Sequence, residues 1–145
     1  MTLTYADTSA LARAYLEDEP EHVELSRRLL QGAEPVMTSA LTRVEFASMT
    51  SAATRAGRIR HPQQILDRFD ADCSDDGPLT LLRLDSDATL PLAYRLVGEH
   101  RLRTLDALHI AVALTAADLA AEPVAFLTRD KDQAAAAAAA GLAVD

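Results

Sequence analysis

Short apolar runs recur along the chain at Leu3–Ala6, Pro35–Thr38, Leu79–Leu84, Val124–Thr128 and Leu142–Val144, separated by longer segments with helical patterning. An apolar run of this length suits a strand buried on both faces, and regular alternation of such strands with helices suits an α/β fold on a largely parallel sheet. The pattern therefore predicts a central, mostly parallel sheet of four to five short strands flanked by helices.

The intervening stretches SALARAYLEDE, EHVELSRRLLQG, ALTRVEFASMTSAATRAG, PQQILDRFDADC, ATLPLAYRLVGEH and TLDALHIAVALTAADLA read as helices. Several close near Gly32 or Gly57, or before Pro123. The alanines at 134–140, ended by Gly141, predict a short packed helix, because alanine is the strongest helix former and glycine a natural stop. No internal repeat, proline-rich linker or long single-sign charge block divides the chain, so residues 1–145 are expected to form a single domain. Its 49% hydrophobic content is enough to fill a core. The acidic stretch DADCSDDG reads as a solvated helix end and turn.

Composition removes several functions. There is no apolar stretch of membrane-spanning length and no basic-then-apolar leader, which leads us to expect a cytoplasmic protein without a membrane partner. The single cysteine, Cys73, excludes an internal disulfide and a cysteine-rich zinc site, and is expected to be half-buried. A net charge of −8 opposes nucleic-acid binding by bulk positive potential. All basic residues except Lys131 are arginine, whose planar fork suits phosphate oxygens, although base composition of the coding DNA explains the bias equally well. His22, His61, His100 and His109 show no pairing that suggests histidine-driven ribonuclease chemistry, and His109, one turn from Asp106, reads as a satisfied core histidine.

Against this background certain acids stand out. Asp7 follows LTYA and Asp130 follows VAFLTR, so both emerge at the carboxyl ends of strands, where open parallel sheets collect ligands. Glu45 lies among apolar or small neighbours, and Asp106 sits in the first turn of a helix that is polar only at Asp106, His109 and Thr115 from Leu105 to Ala117. Each acid also has an ordinary explanation: Asp7 and Asp130 as helix N-caps, Asp106 as a complement to the helix dipole, Glu45 as an ion-pair partner of Arg43 or Arg13. Several carboxylates beside apolar elements are costly unless cations compensate them, and a hard divalent cation such as Mg²⁺ or Mn²⁺ does so with oxygen ligands. Such a site hydrolyses phosphodiesters by activating water and neutralising the developing charge.

Taken together, YADTSAL with Asp7, TRVEFA with Glu45, RTLDALHIAVAL with Asp106 and FLTRDKD with Asp130 resemble, in order and spacing, the PIN-domain nucleases, and most closely the VapC-type toxins of type II toxin–antitoxin pairs. The resemblance covers nearly the whole chain. It implies a three-layer PIN-like fold and a Mg²⁺-dependent endoribonuclease, Mn²⁺ being the alternative metal, that cleaves RNA with metal-activated water. Asp7 and Asp106 are expected to bind metal more directly, and Glu45 and Asp130 to complete the pocket or bind through water. Thr8, Ser9 and Thr128 match supporting hydroxyl positions, and Asp132 is an alternative to Asp130. The resemblance also implies a homodimer and a cognate VapB-like antitoxin covering the pocket. The apolar faces of SALARAYLEDE and ALTRVEFASM offer a groove for a partner helix, or else belong to the core.

The four acids carry half of the net charge, so local potential rather than total charge would admit RNA. Arg55, Arg58 and Arg60 in TRAGRIRH, with Arg43, Arg103 and Arg129 beside the acids, are candidates for phosphate contact. Two other readings remain: a catalytically silent PIN-like module whose acids receive a basic partner peptide, and a phosphatase or phosphoacceptor with Asp7 as nucleophile. The latter usually wants a second acid two residues beyond the nucleophile, where this chain has Ser9.

Overall fold

The computed structural model describes residues 2–145. The element order is β1 (Leu3–Ala6), α1 (Thr8–Tyr15), α2 (His22–Leu30), β2 (Val36–Ser39), α3 (Ala40–Arg55), α4 (Pro62–Asp72), β3 (Leu79–Leu82), α5 (Thr89–His100), α6 (Thr104–Ala120), β4 (Val124–Leu127), α7 (Lys131–Ala139) and β5 (Ala143–Val144). The strands form one sheet in the order β3-β2-β1-β4-β5, and every pair is parallel. The fold is the α/β sandwich of helices around a parallel sheet that the alternating pattern predicts.

Burial explains the strand sequences. β2 and β4 are buried along their whole length and β1 nearly so, whereas the edge strands β3 and β5 are progressively more open. Two apolar clusters fill the two faces. On one, Tyr5 stacks on Phe126 at 5.3 Å between ring centroids, beneath Ile110 and the small residues Ala107, Ala111 and Ala113 of α6. On the other, Phe46 stacks on Phe69 at 4.4 Å, with Tyr15, Leu11, Leu25 and Leu29 around them. Each fully buried Leu or Phe contributes roughly 1.5–3 kcal/mol. The alanine run forms α7 as expected, with Ala136 and Ala137 buried, and Gly141 ends it at a φ of 98° that glycine tolerates best.

The first helix is shorter than its sequence suggests. It stops at Tyr15 because the following LEDE places acids where the helix dipole disfavours them, and Pro20 withholds a backbone donor. Of its apolar face, Ala10, Leu11 and Ala14 are wholly core, while Tyr15, also buried, together with Leu16 borders an open cavity of about 490 Å³. The acidic DADCSDDG stretch is not merely solvated: Asp70 is engaged by Arg43, and Asp72 accepts from the Tyr15 hydroxyl at 2.5 Å. Cys73 is half-buried. Among the described residues no helix is long and apolar enough to cross a membrane.

Candidate active site

The chain runs outward from β1 through β2 to β3, then returns to place β4 on the other side of β1. This reversal makes the carboxyl ends of β1 and β4 the topological switch point, the crevice where parallel α/β sheets bind ligands. Asp7 leaves β1 there, and its backbone N–H donates to the Leu127 carbonyl of β4 at 3.1 Å.

Asp7 is the N-cap of α1 and is almost wholly buried. Oδ1 accepts from the Ala10 N–H at 3.0 Å and the Ser9 hydroxyl at 2.7 Å, and Oδ2 accepts from the Thr128 hydroxyl at 2.5 Å. Burial nevertheless raises its pKa above the ordinary carboxylate value, against the opposing effects of Thr128, Ser9, the Ala10 N–H and His109. The capping explanation is thus correct and incomplete, because a cap alone needs no burial.

Glu45, on α3, faces the same cleft. The Thr8 hydroxyl donates to Oε1 at 3.0 Å, and His109 Nε2 makes a short bond to the same oxygen. Burial pushes the Glu45 pKa up, but the His109 bond and charge, with Thr8, outweigh it and hold the carboxyl below its usual range. An ionised carboxylate only accepts, so Nε2 carries the proton. The other ring nitrogen, Nδ1, lies 2.6 Å from the Tyr5 hydroxyl, and Tyr5 keeps its own proton because burial and then the Asp7 charge raise its pKa far above the ordinary value.

Asp106 and Asp130 form the outer side. Asp106 sits in the first turn of α6, and Asp130 caps α7 by accepting from the Asp132 and Gln133 N–H groups at 3.0 and 3.1 Å. Arg103 spans both: Nε donates to Asp106 Oδ2 at 3.1 Å, and Nη2 lies 3.5 Å from Asp130 Oδ2.

These residues line one small cleft of about 160 Å³, together with Ser9 and Gln133. A larger cavity of about 490 Å³, bounded by Tyr15, Arg58, Arg60 and Arg68, contains none of these four acids. Volume is the poorer guide here, because a divalent cation needs little room but several convergent oxygens. Carboxylate and hydroxyl oxygens predominate among its possible ligands, with the Gln133 amide and the His109 ring beside them, and burial works against the Asp7 charge, so the chemistry fits a hard divalent cation. Among the described residues no three His, Cys, Asp or Glu side chains stand ready to hold an ion between them. Glu45 is turned to His109, and the outer acids are turned to Arg103.

The sequence pattern of the PIN domain family matches residues 4–139, the span that contains all four acids. This chain belongs to the PIN-domain family. Ribonuclease VapC47 of Mycobacterium tuberculosis is 34% identical over 132 residues, covering 88% of this chain and 85% of that protein, which places this PIN domain among the VapC type. The fold is shared with Mycobacterium tuberculosis VapC20, described as a sarcin-ricin loop cleaving toxin, at a TM-score of 0.65 and 18% identity over 96% of this chain and 95% of that one. It is shared also with VapBC2 from Rickettsia felis bound to a promoter DNA fragment, at a TM-score of 0.64 and 12% identity over 99% and 98%.

Within this PIN domain the arginines depart most from expectation. Arg43 pairs with Asp70 and not with Glu45, Arg13 pairs with Glu21, and Arg129, adjacent to Asp130, also turns to Glu21. Arg58 is taken up by Asp18 and Glu19, and Arg55 donates to Ser51. Of the six arginines proposed for phosphate contact only Arg103 lines the acidic cleft; Arg60 lies at the larger cavity. Asp132, the alternative to Asp130, faces a separate hollow with His100 and Leu102, while Asp130 joins the other acids. His109 is the satisfied core histidine that its apolar helix suggests, yet it touches Glu45 as well. Gln133 lines the cleft too, and sequence reasoning passed over it; its place just after the DKD turn, on the first turn of α7, was the available signal.

Proposed function

We propose that this PIN domain is a divalent-cation-dependent endoribonuclease, the toxin of a toxin–antitoxin pair, acting at the pocket formed by Asp7, Glu45, Asp106 and Asp130. The observation that carries the reading is the convergence of acids from the β1 end, α3, α6 and the β4 end on one cleft at the switch point, with the most buried of them under-compensated. The likeness to a named ribonuclease supports it.

Asp7 and Asp106 would hold Mg²⁺ or Mn²⁺ most directly, with Glu45 and Asp130 completing the pocket. When bound, such a cation supplies the acidity that makes water nucleophilic near neutral pH and the positive charge that offsets the phosphodiester's developing negative charge. Ser9 and Thr128 keep Asp7 in place by donating to both of its oxygens. His109 holds Glu45 ionised and oriented, and is itself fixed through Tyr5. No protein nucleophile is needed, and hydrolysis proceeds by direct attack of water.

A VapB-like antitoxin covering the pocket is the expected partner, supported by the fold shared with the Rickettsia felis VapBC2 toxin–antitoxin assembly. The exposed Val44, with Ala47 and Leu66, borders a groove of about 350 Å³ between α3 and α4 that a partner helix can enter.

The test is cleavage of total cellular RNA by purified, partner-free protein with Mg²⁺, with Mn²⁺ and with chelator, beside Asp106→Asn. Discrete cation-dependent products lost in the variant support the reading. Absence of cleavage by folded, cation-loaded protein across varied RNAs would replace it with the catalytically silent interaction module.

A further inference from the structure

Arg103 occupies an unusual position. It is the N-cap residue of α6 but makes no capping bond with its side chain, and that side chain is 80% exposed. Instead it turns back across the pocket mouth to reach carboxylates from two different elements, Asp106 on α6 and Asp130 after β4. Among the described residues it is the only arginine or lysine lining the cleft. Among the described residues it is also the only hydrogen-bond partner of the Asp106 carboxylate, and it takes the Asp130 oxygen that does not cap α7.

The geometry points to Arg103 as a built-in occupant of the acidic pocket, a latch that a divalent cation must displace from Asp106 and Asp130 before the site is complete. This rests on the reading of the pocket as a cation-dependent nuclease site. Water screens such exposed ion pairs, and holding a long side chain in one geometry costs entropy, so the latch is weakly held. It can open by rotation about its own stem, without backbone movement. A compact divalent charge attracts the same carboxylates more strongly than one delocalised guanidinium does. Once released, the guanidinium stays tethered at the pocket mouth, where its planar fork matches a phosphate group.

The experiment is Mn²⁺ binding, followed by calorimetry and by electron paramagnetic resonance at fixed pH and ionic strength, for the wild type, Arg103→Gln, Arg103→Lys and Arg129→Gln. Arg103→Gln is expected to bind Mn²⁺ several-fold more tightly. Arg103→Lys should show part of that gain, because an ammonium keeps the charge but cannot span two carboxylates. Arg129→Gln removes an equal charge beside Asp130 that is engaged by Glu21 instead, and should change affinity little. In parallel, the Arg103 Nε–H resonance is expected to shift, and its proton to exchange faster, as Mg²⁺ is added to wild-type protein. Unchanged or weaker Mn²⁺ binding by Arg103→Gln, an equal gain in Arg129→Gln, an unmoved Nε–H resonance, or no Mn²⁺ binding by any variant would each overturn the latch. Cation-dependent cleavage by the wild type alongside any of these results would sink the latch and leave the nuclease reading standing.

Discussion

The two sides of the cleft hold their acids by opposite means. On the inner side Asp7 is almost fully buried and accepts hydrogen bonds from Ser9, Ala10 and Thr128, all fixed by the packing of β1, α1 and β4. On the outer side Asp106 and Asp130 rest against one solvent-exposed arginine. The inner acid is preorganised at an electrostatic cost, whereas the outer pair is cheap to hold and easy to rearrange. Position is thus built into one half of the site and adaptability into the other, and substitution on each side should have a different signature.

The largest effect is expected from Asp7→Asn, which keeps the cap acceptor but removes the buried charge. Cleavage should fall by about 100-fold or more, since loss even of a metal ligand's hydrogen-bond partner costs 10–100-fold. Thermal unfolding of the cation-free variant at neutral pH should occur at a higher temperature than wild type. The sign follows from the raised pKa of Asp7. The folded state binds this proton more tightly than the unfolded chain, so its contribution favours folding below the ordinary carboxylate pKa and is lost as pH rises through the raised value. The variant lacks that loss. An Asn variant less stable than wild type at neutral pH would show that Asp7 is well compensated, and the contrast between the two sides would collapse.

Thr128→Val should act next. The Thr128 hydroxyl donates to Asp7 and accepts from the Asp130 N–H at 3.1 Å, so its loss strands polar groups at the centre of the inner side. A cost of about 1–3 kcal/mol in urea unfolding is expected, with cleavage reduced as Asp7 loses its anchor. A neutral result would indicate that water replaces the hydroxyl and that the inner side is less rigid than its bonds suggest.

The smallest effect separates Asp130 from Asp132. Asp130→Asn retains the capping oxygen and should change stability by less than about 0.5 kcal/mol, because Asn caps as well as Asp. Its cleavage should nonetheless drop about 10-fold. Asp132→Asn, facing another hollow, should leave both measurements near wild type. Reversal of the two would move the outer carboxylate two residues along the chain and would require the turn after β4 to rearrange on cation binding.

Much of this molecule was open to reading from its residues, because strands and helices write their periodicities locally. The strand runs agree with the observed strands to within a residue or two, and TLDALHIAVALTAADLA coincides with α6. The acids were legible for a related reason: a carboxylate among apolar residues conflicts with its surroundings, and that conflict shows without coordinates. What lies around the acids was not legible. Arg43 is two residues from Glu45 and pairs elsewhere, while His109, 64 residues away, bonds to it. Thr128 reaches Asp7 across 121 residues. By itself the sequence determined the parallel α/β architecture and singled out the four acids that share the cleft, since both are functions of neighbouring residue types. Only the tertiary structure decided that β4 lies beside β1, which partner each charge takes, and that Arg103 alone among the neighbouring arginines covers the cleft. Those outcomes depend on which surfaces the packed helices leave open, and long flexible cations then settle on the nearest carboxylate in space.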